Sequence, residues 1–164
     1  MCFKVSFRKR PFRQIIAIAV AVCFSPSLAL AVNVPTTTVL NSGTTNTNQQ
    51  RINANDVKLT IKGNTTINAG AESVKSLNNQ SGITIIIESG SSITASGSGD
   101  DKAIRANENT NLTITNSGTI SADDIDVIKI TSSTNPTITN NAGGIITGAT
   151  DAIEAASTTN ATIT

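Results

Sequence analysis

The chain has 164 residues, with 12 basic and 11 acidic side chains, and no histidine, tryptophan or tyrosine. That composition excludes a nucleophilic triad built on a histidine base. It also excludes a core organised around tryptophan or tyrosine.

The first residues read as an export signal. Lys4, Arg8, Lys9, Arg10 and Arg13 make a basic start, and an apolar run follows at residues 15–22. Pro26 breaks the run, and Ala29-Leu30-Ala31 puts small residues at the two positions a signal peptidase reads. A helical signal peptide is predicted over 1–31, with cleavage after Ala31 and Val32 as the new N-terminus. The apolar run is far shorter than the roughly 20 residues a membrane-spanning helix needs, so no permanent span is expected. Cys23 is not expected to be a lipidation site, because Val22 is too large for the residue before a lipidated cysteine. It is read as a packing residue of the apolar run.

Removing the signal changes the chemistry of the chain. Both cysteines (Cys2, Cys23) and all four phenylalanines (Phe3, Phe7, Phe12, Phe24) go with it. Seven cations and eleven acids remain, a net charge of −4. Residues 32–164 therefore carry no disulfide and no thiolate metal site. Their overall charge gives no footprint for nucleic acid or anionic lipid. Only Ile, Val, Leu, Ala and Thr are left to build a core, which points to thin stacked layers.

Residues 32–56 form a threonine- and asparagine-rich lead-in or N-terminal cap, with Thr36-Thr37-Thr38 and Thr44-Thr45-Asn46-Thr47-Asn48. Val39-Leu40-Asn41-Ser42-Gly43 faintly echoes the later turns. From Val57 to Thr164 the chain repeats. Thr113-Ile114-Thr115-Asn116 recurs as Thr137-Ile138-Thr139-Asn140 and as Thr162-Ile163-Thr164, in steps of 24 and 25 residues. A second cadence places Ile67, Ile93, Ile120 and Ile146 at one phase, and a third places Val74, Ile104, Ile128 and Ile153 at another. An acid stands ahead of the third cadence at Glu72, Asp101, Asp126 and Asp151.

Runs such as Leu112-Thr113-Ile114-Thr115 alternate apolar and polar, which is the strand period. Turn chemistry separates the runs, at Lys62-Gly63-Asn64, Glu88-Ser89-Gly90 and Asn116-Ser117-Gly118. Ile83-Thr84-Ile85-Ile86-Ile87 is more apolar and is predicted as a strand covered on both faces. One unit of 24–27 residues cannot bury its apolar face alone, whereas stacked units can. The predicted fold is all-β: a right-handed parallel β-helix, or β-solenoid, of about four coils over 57–164. Its isoleucines form inward ladders, and that regular spacing argues against low-complexity disorder. Neither the glycine-rich motif of calcium-binding rolls nor a helical apolar period is present. Because the sequence stops one strand into a new coil, it is expected to be the N-terminal part of a longer protein or a truncated gene product.

The basic signal, the cysteine-free remainder and units such as Leu112-Thr113-Ile114-Thr115-Asn116-Ser117-Gly118-Thr119-Ile120-Ser121-Ala122 resemble the passenger region of bacterial autotransporters, the type V secretion proteins. The resemblance covers the signal and roughly 57–164. It implies a β-helical passenger carried across the outer membrane by a C-terminal β-barrel, with roles in adhesion, aggregation or virulence at the cell surface. No barrel-like segment with aromatic girdles is seen here. The expected location is the cell surface or medium for a full autotransporter, and the periplasm if this chain is the whole product. Host or bacterial surface molecules are the expected partners. A fragment of a polysaccharide-active β-helix enzyme is the alternative function, and a nonfunctional truncated product is another.

Candidate chemistry is sparse, and no catalytic, cofactor or metal residue is assigned. Asp123, Asp124 and Asp126, and Asp100 with Asp101, are the densest carboxylate clusters. Both are expected to be solvated turn acids, without the ligand pattern of a calcium loop. Lys75, Arg105, Lys129 and Glu154 share one phase after the third ladder, as an outward charged stripe. Such a stripe serves either contact with a partner or the solubility of an exposed strand face. The Asn-x-Ser/Thr matches, such as Asn64-Thr65-Thr66, are expected by chance in a chain this rich in Asn and Thr. The protein is expected to be a non-catalytic surface module.

Overall fold

The computed structural model describes residues 31–70, 72–97, 99–123 and 126–164. The predicted signal peptide lies outside the described residues, apart from Ala31. Every described regular element is a strand, and each is only two to six residues long because the chain turns a corner after each.

The first coil contains β1 (Val32–Val34), β2 (Thr38–Leu40) and β3 (Thr45–Asn46). The second contains β4 (Gln50–Ile52), β5 (Lys58–Ile61) and β6 (Thr66–Asn68). The third contains β7 (Val74–Ser76), β8 (Thr84–Ile87) and β9 (Ser92–Ala95). The fourth has β10 (Ile104–Asn107), β11 (Thr113–Asn116) and β12 (Thr119–Ala122), and the fifth has β13 (Asp126–Thr131), β14 (Thr137–Asn140) and β15 (Ile145–Thr147). A further rung begins with β16 (Asp151–Ala156) and β17 (Thr162–Ile163).

Every third strand pairs, and every pair is parallel. The first sheet runs β1-β4-β7-β10-β13-β16, the second β2-β5-β8-β11-β14-β17, and the third β3-β6-β9-β12-β15. The chain is thus a parallel β-solenoid of about five turns. Within residues 32–56, β1, β2 and β3 make a coil of their own and β4 opens the next, with Val32 opposite Gln50, Val39 opposite Thr60 and Thr45 opposite Thr66. The turn count therefore exceeds the four expected from the regular repeats alone. The coil contains the Val39-Leu40 echo, in β2, but its strands are short and only Val34 is buried.

The inward ladders stack as the sequence spacing requires. Ile67, Ile93, Ile120 and Ile146 are register partners on successive rungs of the third sheet. Val74, Ile104, Ile128 and Ile153 do the same on the first. Leu59, Ile85, Ile114, Ile138 and Ile163 form the third column, on the second sheet. The inner members of all three columns are fully buried. Each such side chain contributes about 1.5–3 kcal/mol of transfer free energy. No large ring is needed, because rungs about 4.8 Å apart bring like branched side chains into direct contact.

The isoleucine-rich run differs from its expectation. Ile83, Ile85 and Ile87 face the core, while Thr84 and Ile86 are half-buried on the outside. The strand is covered on one face only. Ile86 merely takes a position that threonines hold on neighbouring rungs.

The corner between the first and second sheets bends by left-handed residues that are mostly not glycine. Asn79, Glu108, Ser132 and Ser157 have φ between 52° and 61°, and so, one step on, do Asn111, Asn135 and Asn160. Asparagine tolerates this region better than most residues. Here the amides also stack: Asn135 Nδ2 donates to Asn111 Oδ1, and Asn160 Nδ2 to Asn135 Oδ1, each at 3.1 Å.

Candidate interaction surface

Three outward faces follow from the three sheets, and their chemistry differs. On the second sheet, Lys58 heads a column that continues as Thr84, Thr113, Thr137 and Thr162. Thr60, Ile86, Thr115 and Thr139 form the next. On the third, Thr45, Thr66, Ser92, Thr119 and Ile145 line up. The Thr66 and Ser92 hydroxyls there are 2.9 Å apart and hydrogen-bonded. These faces are hydroxyl-rich and nearly uncharged.

The first sheet presents charge. Arg51, Lys75, Arg105, Lys129 and Glu154 are register partners on five successive rungs. The predicted stripe of Lys75, Arg105, Lys129 and Glu154 is therefore real, and Arg51 extends it. Arg51 escaped the sequence reading because it precedes the regular repeats, but its place in Gln50-Arg51-Ile52 matches Val74-Lys75-Ser76. Like charges opposed across a ladder destabilise it by roughly 0.2–1 kcal/mol per pair, so the sheet must offset them.

The acids ahead of the cadence do this. Glu72 lies 2.8 Å from the Lys75 ammonium and 2.5 Å from the Arg105 guanidinium. Partial burial pushes the Glu72 carboxyl upward, but the hydrogen bonds and charges of Lys75 and Arg105 outweigh it and hold the pKa below its ordinary value. Lys129 reaches Asp126 at 3.3 Å and also pairs with Glu154. Burial, then the neighbouring Glu154, raises the Asp126 pKa, while Lys129 and then Asp126 hold Glu154 low. Glu154 in turn does most to raise Lys129.

The expected solvated turn acids divide. Asp100 and Asp123 are exposed, and Lys102 holds the Asp100 carboxyl below its usual range. Asp101 and Asp126 are not solvated: each is buried. Asp126 stands in β13, where Lys129 compensates it. The stretch ahead of β10 turns Asp101 inward, leaving its Oδ2 with no hydrogen-bond partner among the described residues. Beside it Lys102 is fully buried and ties its ammonium to Asp100, through the carbonyl at 3.1 Å and through the carboxylate. Asp124 lies outside the described residues. Among the described residues, no three His, Cys, Asp or Glu side chains are placed to hold a metal ion.

Comparison with protein-family models, with curated proteins and with solved structures gives no match for the chain. The function therefore rests on the surface itself.

Chemically, the first sheet can do one thing well. It holds a line of cations on a rigid strand face, neutralised more fully at the C-terminal rungs than at the N-terminal ones. No described helix is long and apolar enough to cross a membrane.

Proposed function

We propose that the chain is an exported, passenger-like β-helical module of the autotransporter kind that acts by surface contact, in adhesion or structural interaction, without catalysis. The observation that carries this reading is the outward order: columns of one side-chain type run over four rungs on faces that the core does not use. Stacked repeats offer extended faces of this kind for binding large partners. The export signal at 1–31 and the compositional likeness to autotransporter passengers support the location.

The test has two parts. The chain is expressed with its own N-terminus in a bacterial host, and the exported product is sequenced. Val32 as the first residue supports export by signal cleavage; retention of Met1 in the cytoplasm sinks it. Purified chain coated on beads should then bind bacterial or host cells above a coating of unrelated protein. Equal binding by both coatings would remove adhesion from the reading.

A polysaccharide-active enzyme gains one point from the structure, the convergence of Asp126, Glu154 and Lys129 on one face. Both carboxyls, however, are held in ion pairs with Lys129. Residues 32–164 also contain no aromatic platform for a sugar ring. A reducing-end assay on acidic and neutral polysaccharides is expected to show no product.

A further inference from the structure

We infer that the N-terminal rungs of the charged column, Arg51, Lys75 and Arg105, bind a linear acidic polysaccharide; this rests on the surface-module reading and names its partner class. Four of the seven cations in residues 32–164 fall in this single column, on four consecutive rungs. Solubility alone does not call for that arrangement, since cations scattered over three faces would serve it without like-charge stacking.

The compensation is lopsided. Lys129 has two acids to itself, Asp126 and Glu154. Lys75 and Arg105 share one, Glu72. Arg51 has no ion pair among the described residues, and its Nε is buried without a hydrogen-bond partner. On these rungs three cations stand against one ion-paired acid, with Asp100 the further carboxylate whose charge Arg105 feels, and the remaining positive charge is open to an outside anion.

The spacing selects the shape of that partner. Charges repeat along the stack at about the 4.8 Å rung interval, so a single small anion engages one or two of them, while a chain with regularly placed anionic groups engages all three. Guanidinium forks at both ends suit carboxylate or sulfate groups, which they hold with paired hydrogen bonds. Asn33 continues the column below Arg51, and Asn107 follows Arg105 along β10, so amides are at hand for hydroxyls. Single-stranded nucleic acid fits less well, because residues 32–164 contain no aromatic side chain to stack a base.

The test applies the full chain at low ionic strength to immobilised heparin, a sulfated glycan, and to immobilised polygalacturonate, a carboxylated one. Neutral dextran and single-stranded DNA are the controls. Retention on either acidic glycan, released by salt, is expected. The R51Q/K75Q variant should bind about tenfold more weakly or worse, as befits two lost charge-assisted contacts. Its circular dichroism should keep the strand signal, and R51K/K75R should retain binding. Four results overturn the inference: no retention on either acidic glycan, equal retention on dextran, tighter retention on DNA, or an R51Q/K75Q variant that binds like the parent. Cell binding that persists without glycan retention defeats this inference and leaves the surface-module reading standing. Absence of cell binding beside firm glycan retention does the reverse.

Discussion

The first and second sheets share an interior and differ in their exteriors. Inside, both stack branched aliphatic side chains: Val74, Ile104 and Ile128 in one, Ile85, Ile114 and Ile138 in the other. Outside, the second sheet repeats threonine, which tolerates a like neighbour above and below, and the first repeats arginine and lysine, which do not. The first sheet consequently needs Glu72 and Asp126 beside its column and Glu154 at its end, whereas the threonines of the second need no such partners. Fold is written on the inner columns, and contact chemistry on the outer ones.

The largest effects should come from breaking the shared interior. Ile120 is fully buried between Ile93 and Ile146. Ile120→Ala removes a column member that the flanking rungs cannot replace, and should cost about 2–5 kcal/mol. A lowered thermal midpoint measured by circular dichroism checks this. A midpoint unchanged within error would mean that the column does not hold the stack together.

An intermediate effect is expected where the interior is polar. Asn116 takes the place that Ile87 holds one rung earlier, and it is fully buried. Its Nδ2 donates to Asn140 Oδ1 at 2.8 Å and to the Ile145 carbonyl at 3.1 Å, and its Oδ1 accepts from the Gly118 amide at 3.1 Å. Asn116→Ala strands those partners and should cost about 1–3 kcal/mol. Gly118 belongs to the same turn, since a Cβ there would collide with the carbonyl oxygens of Ser91 and Glu88.

These two residues show what the sequence reveals. Ile120 was legible because isoleucine recurs at a fixed phase, and the physics of stacking demands that recurrence. Asn116 was legible only as a turn residue, since nothing local says that its amide points inward to close the turn. The charged stripe was visible from Lys75 to Glu154, but Arg51 was not, because Gln50 stands where Val74 does one rung on and hides the apolar cadence that precedes the charge. Glu72 pairing with Arg105 joins residues 33 apart across neighbouring rungs, which no linear motif records. The left-handed corner residues Glu108, Ser132 and Ser157 carry no sequence signal of their own either.

Smaller effects should sharpen the contrast between the exteriors. Glu72→Gln leaves Lys75 and Arg105 facing each other without their carboxylate, and should cost roughly 1 kcal/mol, shrinking in high salt. Its pH dependence follows from sign. The folded Glu72 pKa is depressed, so its stabilisation is present above the unfolded pKa and is lost as pH falls through the folded one. Asp126 works oppositely: its folded pKa is raised, so its contribution is present below the unfolded pKa and fades as pH rises through the folded one. Acid titration of the melting midpoint should therefore be flatter in Glu72→Gln than in the parent. An identical acid limb in the two proteins would assign the loss to other groups.

The smallest effect should come from the threonine face. Thr115 is half-buried on the second sheet between Ile86 and Thr139, and no hydrogen bond from its hydroxyl is seen among the described residues. Thr115→Ala removes one hydroxyl and one methyl from a face that tolerates Ile86 at the same phase, so the change should stay within about 0.5 kcal/mol. The like-for-like partner is Arg105→Ala on the first sheet. It takes an ion pair from Glu72 and should respond to salt, whereas Thr115→Ala should not. Melting both variants at low and high salt separates them. A salt-independent Arg105→Ala, or a Thr115→Ala as damaging as Ile120→Ala, would erase the division between an outside that serves contact and an inside that carries the fold.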